Sequence, residues 1–147
     1  MVFETGPYLQ GAFFCEHVLR EVDNIGSYIR VYSRIVQTAS RADAPDAMIA
    51  FRRNLILVVL LKSGESRGAV QVTVEVEPPS GIKKRLGTAS ALMEGEDRGQ
   101  NLTFNIAMDF SEVGLYWFHV LVDDKLLTKV PLRLVYLRMT GSVPPTQ

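Results

Sequence analysis

The sequence predicts an all-β protein, an antiparallel β-sandwich of about eight strands, and three observations carry that prediction. Apolar and polar residues alternate with a period of two along residues 70–76 and 102–110, the pattern of strands buried on one face. Turn-forming clusters separate the apolar segments at spacings of roughly 8–14 residues, and no stretch sustains a helical period. Residues 114–122, with Tyr116, Trp117 and Phe118, run through Asp123 and Asp124 into residues 126–137. Aromatic and branched side chains on both sides of a short polar turn mark a hairpin.

The elements follow in order. Residues 11–19 form a first strand, ended by Asp23, Asn24, Ile25 and Gly26, residues that tolerate positive φ. Residues 27–38 return as one strand, with Ile29, Val31 and Ile35 on one side and Arg30, Tyr32 and Arg34 on the other. Residues 39–53, which hold Asp43, Pro45 and Asp46, are the longest irregular connection. Residues 54–62 are apolar on both faces, as expected of a central strand or one whose outer face is covered. Residues 69–77 turn Val70, Val72, Val74 and Val76 inward until Pro78, which cannot donate to a ladder, stops them. Residues 83–93 form a weaker strand and residues 94–99 a polar loop. Residues 100–110 turn Leu102, Phe104, Ile106, Met108 and Phe110 inward.

The last hairpin carries a register constraint. Tyr116, Phe118, Val120 and Val122 share one face, as do Val130, Leu132, Leu134 and Tyr136, so even residues must pair with even. A two-residue turn at Asp123 and Asp124 pairs Val122 with Lys125 and sets the runs on opposite faces. The hairpin therefore needs a three-residue turn, or a two-residue turn corrected by a β-bulge.

Residues 1–140 read as a single domain and residues 141–147 as a loose, flexible tail. A chain of 147 residues, 47% of them hydrophobic, supports one core without disulfide or metal, and its one cysteine, Cys15, allows no internal disulfide. Residues 1–10 lack the pattern of a secretory signal and no apolar run is long enough to span a bilayer, so a soluble, cytoplasmic protein is expected. Sixteen basic residues balance sixteen acidic ones. The small clusters Arg52-Arg53 and Lys83-Lys84-Arg85 read as solvated charges, not as a nucleic-acid footprint.

Two segments carry a resemblance. Phe14-Cys15-Glu16-His17-Val18-Leu19-Arg20-Glu21-Val22-Asp23, followed by Ser27-Tyr28-Ile29-Arg30-Val31, resembles the opening of a family of small bacterial proteins of unknown function. Gly114, Tyr116, Phe118, Val120, Val122 and Asp123, then Pro131-Leu132-Arg133-Leu134, resemble the closing hairpin of that family and of immunoglobulin-like sandwiches. Asp124 stands where such hairpins often carry glycine. The resemblance implies a compact cytoplasmic immunoglobulin-like sandwich and no activity.

Candidate chemistry is sparse. Alternation puts Cys15 and His17 on one face, about 6.8 Å apart along a strand, but no orienting carboxylate or oxyanion hole accompanies them. Cys15, His17 and His119 lack zinc-ligand spacing. If successive strands run up and down, Asp23, Glu65, Glu94, Glu96, Asp97, Asp123 and Asp124 gather at one end, where sandwich loops can bind calcium or an anionic surface. That is the alternative reading.

The favoured reading starts from an oddity. Leu115, Trp117, His119 and Leu121 alternate with the core set, as do Leu127, Pro131, Val135 and Leu137, where a solvated face should be polar. Ile56, Val58 and Leu60 pose the same problem on the central strand. Either residues 39–53 cover these faces or they form a surface for association. The expectation is a non-enzymatic binding or assembly module without catalytic residues, cofactor or metal. It would dock a protein partner, or itself as a homodimer, through Leu115, Trp117, His119, Leu121, Val135 and Leu137, with Trp117 as anchor.

Overall fold

Seven strands and no helix make up the computed structural model, which describes residues 3–23, 25–40 and 42–139. The expected tail, residues 141–147, lies outside the described residues. The strands are β1 (Tyr8–Arg20), β2 (Gly26–Tyr32), β3 (Arg34–Ala39), β4 (Phe51–Glu77), β5 (Lys84–Phe110), β6 (Gly114–Val122) and β7 (Lys125–Arg138). They form one hydrogen-bonded sheet in the order β2-β1-β4-β6-β7-β3, with β5 alongside β4. All pairs are antiparallel except β3 with β7, which is parallel. No helix among the described residues is long and apolar enough to cross a membrane.

The sheet folds over on itself into the two layers of a sandwich. The first half of β4 pairs with β1 and with residues 99–110 of β5; the second half pairs with β6 and with residues 84–94 of β5. Leu55, Leu57, Val59 and Leu61 from one half and Val72, Val74 and Val76 from the other enter a single core. Phe14 of β1 meets Phe118 of β6 edge to face at 4.8 Å across that core. Inward residues are odd before the corner and even after it, and the register slips between Lys62 and Gly64 and between Gly64 and Arg67 where the parity changes.

Seven strands replace the expected eight for two reasons. The segments read as four strands around residues 54–110 are two continuous 27-residue strands, because the polar stretches between them pair across the corner, Gly64 with Glu96 and Arg67 with Glu94. Conversely, residues 27–38 are two strands. The chain leaves the first layer at Tyr32, stacked on Phe14, and joins the second at Ile35, buried beside Leu134, with Ser33 at the switch. Ile35 is therefore in the core while Ile29 and Val31 are exposed, against the expected common face.

Ser63 pins the corner. It is fully buried; its hydroxyl donates to the Arg98 carbonyl at 2.6 Å and accepts from the Glu94 amide at 3.1 Å, tying β4 to β5 where the ladder is irregular. Ser63→Ala removes both hydrogen bonds and is expected to cost about 1–3 kcal/mol. Chemical denaturation checks this; an unchanged midpoint would mean that both groups find other partners.

The closing hairpin takes one of its two expected forms. Asp123 (φ 47°) and Asp124 (φ 65°) make a two-residue turn with Val122 opposite Lys125, and a register shift between Val120 and Leu121 restores Phe118 opposite Val130 and Tyr116 opposite Leu132. The Asp123 carboxylate accepts from the Gln71 amide, and its own amide donates to the Gln71 carbonyl, both at 2.9 Å. Aspartate tolerates the left-handed region well enough to stand where glycine is usual.

Candidate protein-docking face

The residue sets considered for chemistry do not converge. Cys15 and His17 lie on β1, paired with β4 and β2, whereas His119 lies on β6 in the other layer. Cys15 is buried and burial pushes its thiol above the ordinary range, away from thiolate. Four of the seven carboxylates are engaged locally. Asp23 accepts from the Ile25 amide, Glu94 holds Arg98, Asp123 holds the Gln71 amide and Asp124 lies 3.8 Å from Arg85. Among the described residues, no group of three or more His, Cys, Asp or Glu side chains is placed to hold a metal ion.

The apolar second face of β4 is covered within the chain, and not by residues 39–53. Val58 is fully buried, while its cross-strand neighbour Phe13 meets Tyr28 of β2 edge to face at 5.2 Å. Arg20, at the end of β1, shares a polar cleft with Lys62, Gly99, Gln100 and Asn101. The β1–β2 hairpin therefore turns back over the first layer. Residues 44 and 45 instead pack against the end of β7, on the side of its inward residues, where Tyr136 donates to the Pro45 carbonyl and Arg138 to the Ala44 carbonyl.

The outer face of β6, β7 and β3 divides into a charged half and an apolar half. His119, expected at the contact surface, is only 5% exposed, so it cannot touch a partner. Its Nε2 has no hydrogen-bond partner among the described residues; Glu77 Oε2, at 3.9 Å, is too distant. Burial lowers the His119 pKa from its ordinary 6.5, Lys83 and Lys129 lower it further, and Glu77 and Glu75 oppose them. Trp117 sits half-buried between Glu77 and Pro131, and Leu121 is half-buried also.

That environment makes a signed prediction. As pH falls through the ordinary 6.5, the unfolded chain takes up a proton that the folded chain refuses, so stability falls until the lower folded-state value is reached. His119→Gln should flatten this segment of the stability profile just below pH 6.5. Urea titrations of both proteins check it; identical slopes would remove His119 from the account.

The other half starts at Leu115 and runs to the sheet edge, its apolar residues set around the exposed Arg34–Arg133 pair. Leu115 pairs with Arg133, Arg133 with Arg34, Val135 with Val36 and Leu137 with Thr38. Because Leu132, Leu134 and Ile35 point into the core, their odd and even neighbours Arg133, Val135, Leu137, Arg34 and Val36 point outward. Val36 is 49% exposed and Leu137 48%; Val113, just before β6, is 49% exposed, and Leu115 and Val135 are half-buried. Of the six residues singled out in the sequence, Leu115, Val135 and Leu137 come together here. Val36 was missed because one continuous strand over residues 27–38 put it on the wrong layer. A second apolar set, Leu19, Ile29 and Val31 on the β1–β2 hairpin, was also missed.

No family model and no curated protein matches the chain. Solved structures similar to it include two from Pseudomonas species. One is the alkylpurine DNA glycosylase AlkC of Pseudomonas fluorescens bound to DNA containing an abasic-site analog, at 14% identity and a TM-score of 0.32, covering 70% of this chain and 28% of that one. The chain thus spans under a third of the glycosylase's length. The other is an immunoglobulin-like protein from Pseudomonas aeruginosa, at 14% identity and a TM-score of 0.36, covering 88% of this chain and 96% of that one.

Proposed function

We propose that this protein is a non-enzymatic protein-binding module whose contact surface is the apolar outer face at the β6–β7–β3 end of the second layer. The observation that carries the reading is the contiguous set Leu115, Val135, Leu137 and Val36, apolar residues on adjacent strands, of which Val36 and Leu137 are each about half exposed. A face of that kind on a sandwich layer is where apolar side chains reach a second surface. The reading covers a homodimer and a different partner alike, and the mass in solution separates them.

A photoreactive residue at Leu137 tests it, with the same residue at exposed Thr88, on the polar part of the layer, as control. Discrete cross-linked species from position 137 in the protein's own cells, absent from position 88, are the expected result. Equal or absent cross-linking at both positions would overturn the reading. If sedimentation shows a dimer, Leu137→Glu should shift it to monomer.

A further inference from the structure

We infer that the open edge of β3 takes an extended peptide segment as an added antiparallel strand, and that the segment presents an acidic side chain beside Arg34 and Arg133 and an apolar one beside Val36. The inference rests on the docking face proposed above and names its occupant.

β3 ends the sheet and pairs on one side only. The Arg133 amide donates to the Ser33 carbonyl and the Met139 amide to the Ala39 carbonyl, so the odd residues of this strand turn their peptide groups to β7. The peptide groups of Arg34, Val36 and Thr38 then point to the free edge, and among the described residues none of them has a backbone partner there. The same three residues carry their side chains on the outer face, so an added strand would meet an unpaired ladder and the apolar patch together.

The β2 and β3 edges, two of the three that the sheet leaves (β5 pairs only with β4), differ in how they are guarded. β2 carries Arg30 in the left-handed region, φ 56°, in its middle, which interrupts the regular edge that a new strand needs. β3 has no residue with positive φ, no proline and no lysine. It is a short, regular template left open.

Charge specifies the occupant. Arg34 and Arg133 stand directly opposite each other on neighbouring strands, both exposed, and neither makes an ion pair among the described residues. Arg30, Arg52, Arg98 and Arg138 each have a carboxylate. Like charges in direct register weaken a strand pair, and a carboxylate from an added strand would bridge both guanidinium groups. Antiparallel pairing reads the segment from Thr38 to Arg34, so an apolar residue precedes the acidic one by two positions. A second copy fits less well, because a two-fold axis at Val36 sets Arg34 opposite Thr38 of the other copy and brings no carboxylate to the arginine pair.

The test uses the intact protein and a blocked peptide, Ser-Val-Thr-Val-Thr-Glu-Gly, in which the two valines and the glutamate share a face. Amide exchange at Arg34, Val36 and Thr38 should slow on peptide addition, and replacing the glutamate by lysine should weaken binding about tenfold. Arg133→Glu should reverse that preference. Val36→Pro removes an outward-pointing N–H that β7 does not use, so binding should vanish while melting changes little. If that variant unfolds, the Arg133→Glu preference still decides. No protection at the three amides, equal binding of both peptides, or protection that appears with protein concentration alone would overturn the inference. If the cross-link at position 137 persists while the peptide fails, strand addition falls and the docking face stands.

Discussion

Gly99→Ala should destabilise the protein by about 3 kcal/mol or more, a larger effect than any surface substitution. A Cβ at Gly99 would lie 1.8 Å from the Leu61 carbonyl oxygen, 2.7 Å from its carbonyl carbon and 2.9 Å from the Lys62 Cα. All three are backbone atoms of the strand that Gly99 pairs with, so no rotamer can relieve the overlap. The ladder must open at Lys62 and Gly99, next to the corner that Ser63 holds. Gly87→Ala is the control. It is on the same strand, but nothing lies within 4 Å of its Cβ, and a change below about 1 kcal/mol is expected. Urea denaturation of both variants measures the contrast. Equal midpoints would show that β4 and β5 do not approach so closely at the corner.

Phe118→Ala should cost about 3–5 kcal/mol, the usual range for deleting a buried aromatic ring from a tight core. Phe118 is fully buried, and its 4.8 Å contact with Phe14 is made between strands that never pair. That ring therefore holds layer to layer, where no ladder hydrogen bond can help. A double-mutant cycle with Phe14→Leu and Phe118→Leu should return a coupling of about 0.5–1.5 kcal/mol. Truncating Leu126, which is exposed at the start of β7, should stay within about 0.5 kcal/mol of wild type. A cycle without coupling would mean that the two layers are held by other contacts.

The docking face was partly legible before the structure. Alternation placed Leu115, Val135 and Leu137 opposite the core set, and they are where a partner can reach them. It also placed His119 there, because period-two reasoning assigns a face and not an exposure. The side chains of neighbouring strands bury His119, and those neighbours, Glu75, Glu77 and Lys129, are set by cross-strand register. Val36 and the Arg34–Arg133 pair were out of reach for a deeper reason. Their position depends on the chain changing layers at Ser33, and nothing in residues 27–38 interrupts the alternation strongly enough to announce it.

Local side-chain chemistry by itself determined the all-β class, the inward faces of residues 70–76, 102–110 and 116–122, and that the last hairpin needs either a three-residue turn or a bulge. Each depends on neighbours a few positions away, through the two-residue period of an extended chain. Only the tertiary structure decided that polar residues 63–68 and 94–99 continue two long strands, which layer β2 and β3 join, and which apolar residues stay in water. Those outcomes come from pairing between segments distant in the chain, where a buried Ser63 hydroxyl or a glycine-wide approach at Gly99 outweighs what the local residues prefer.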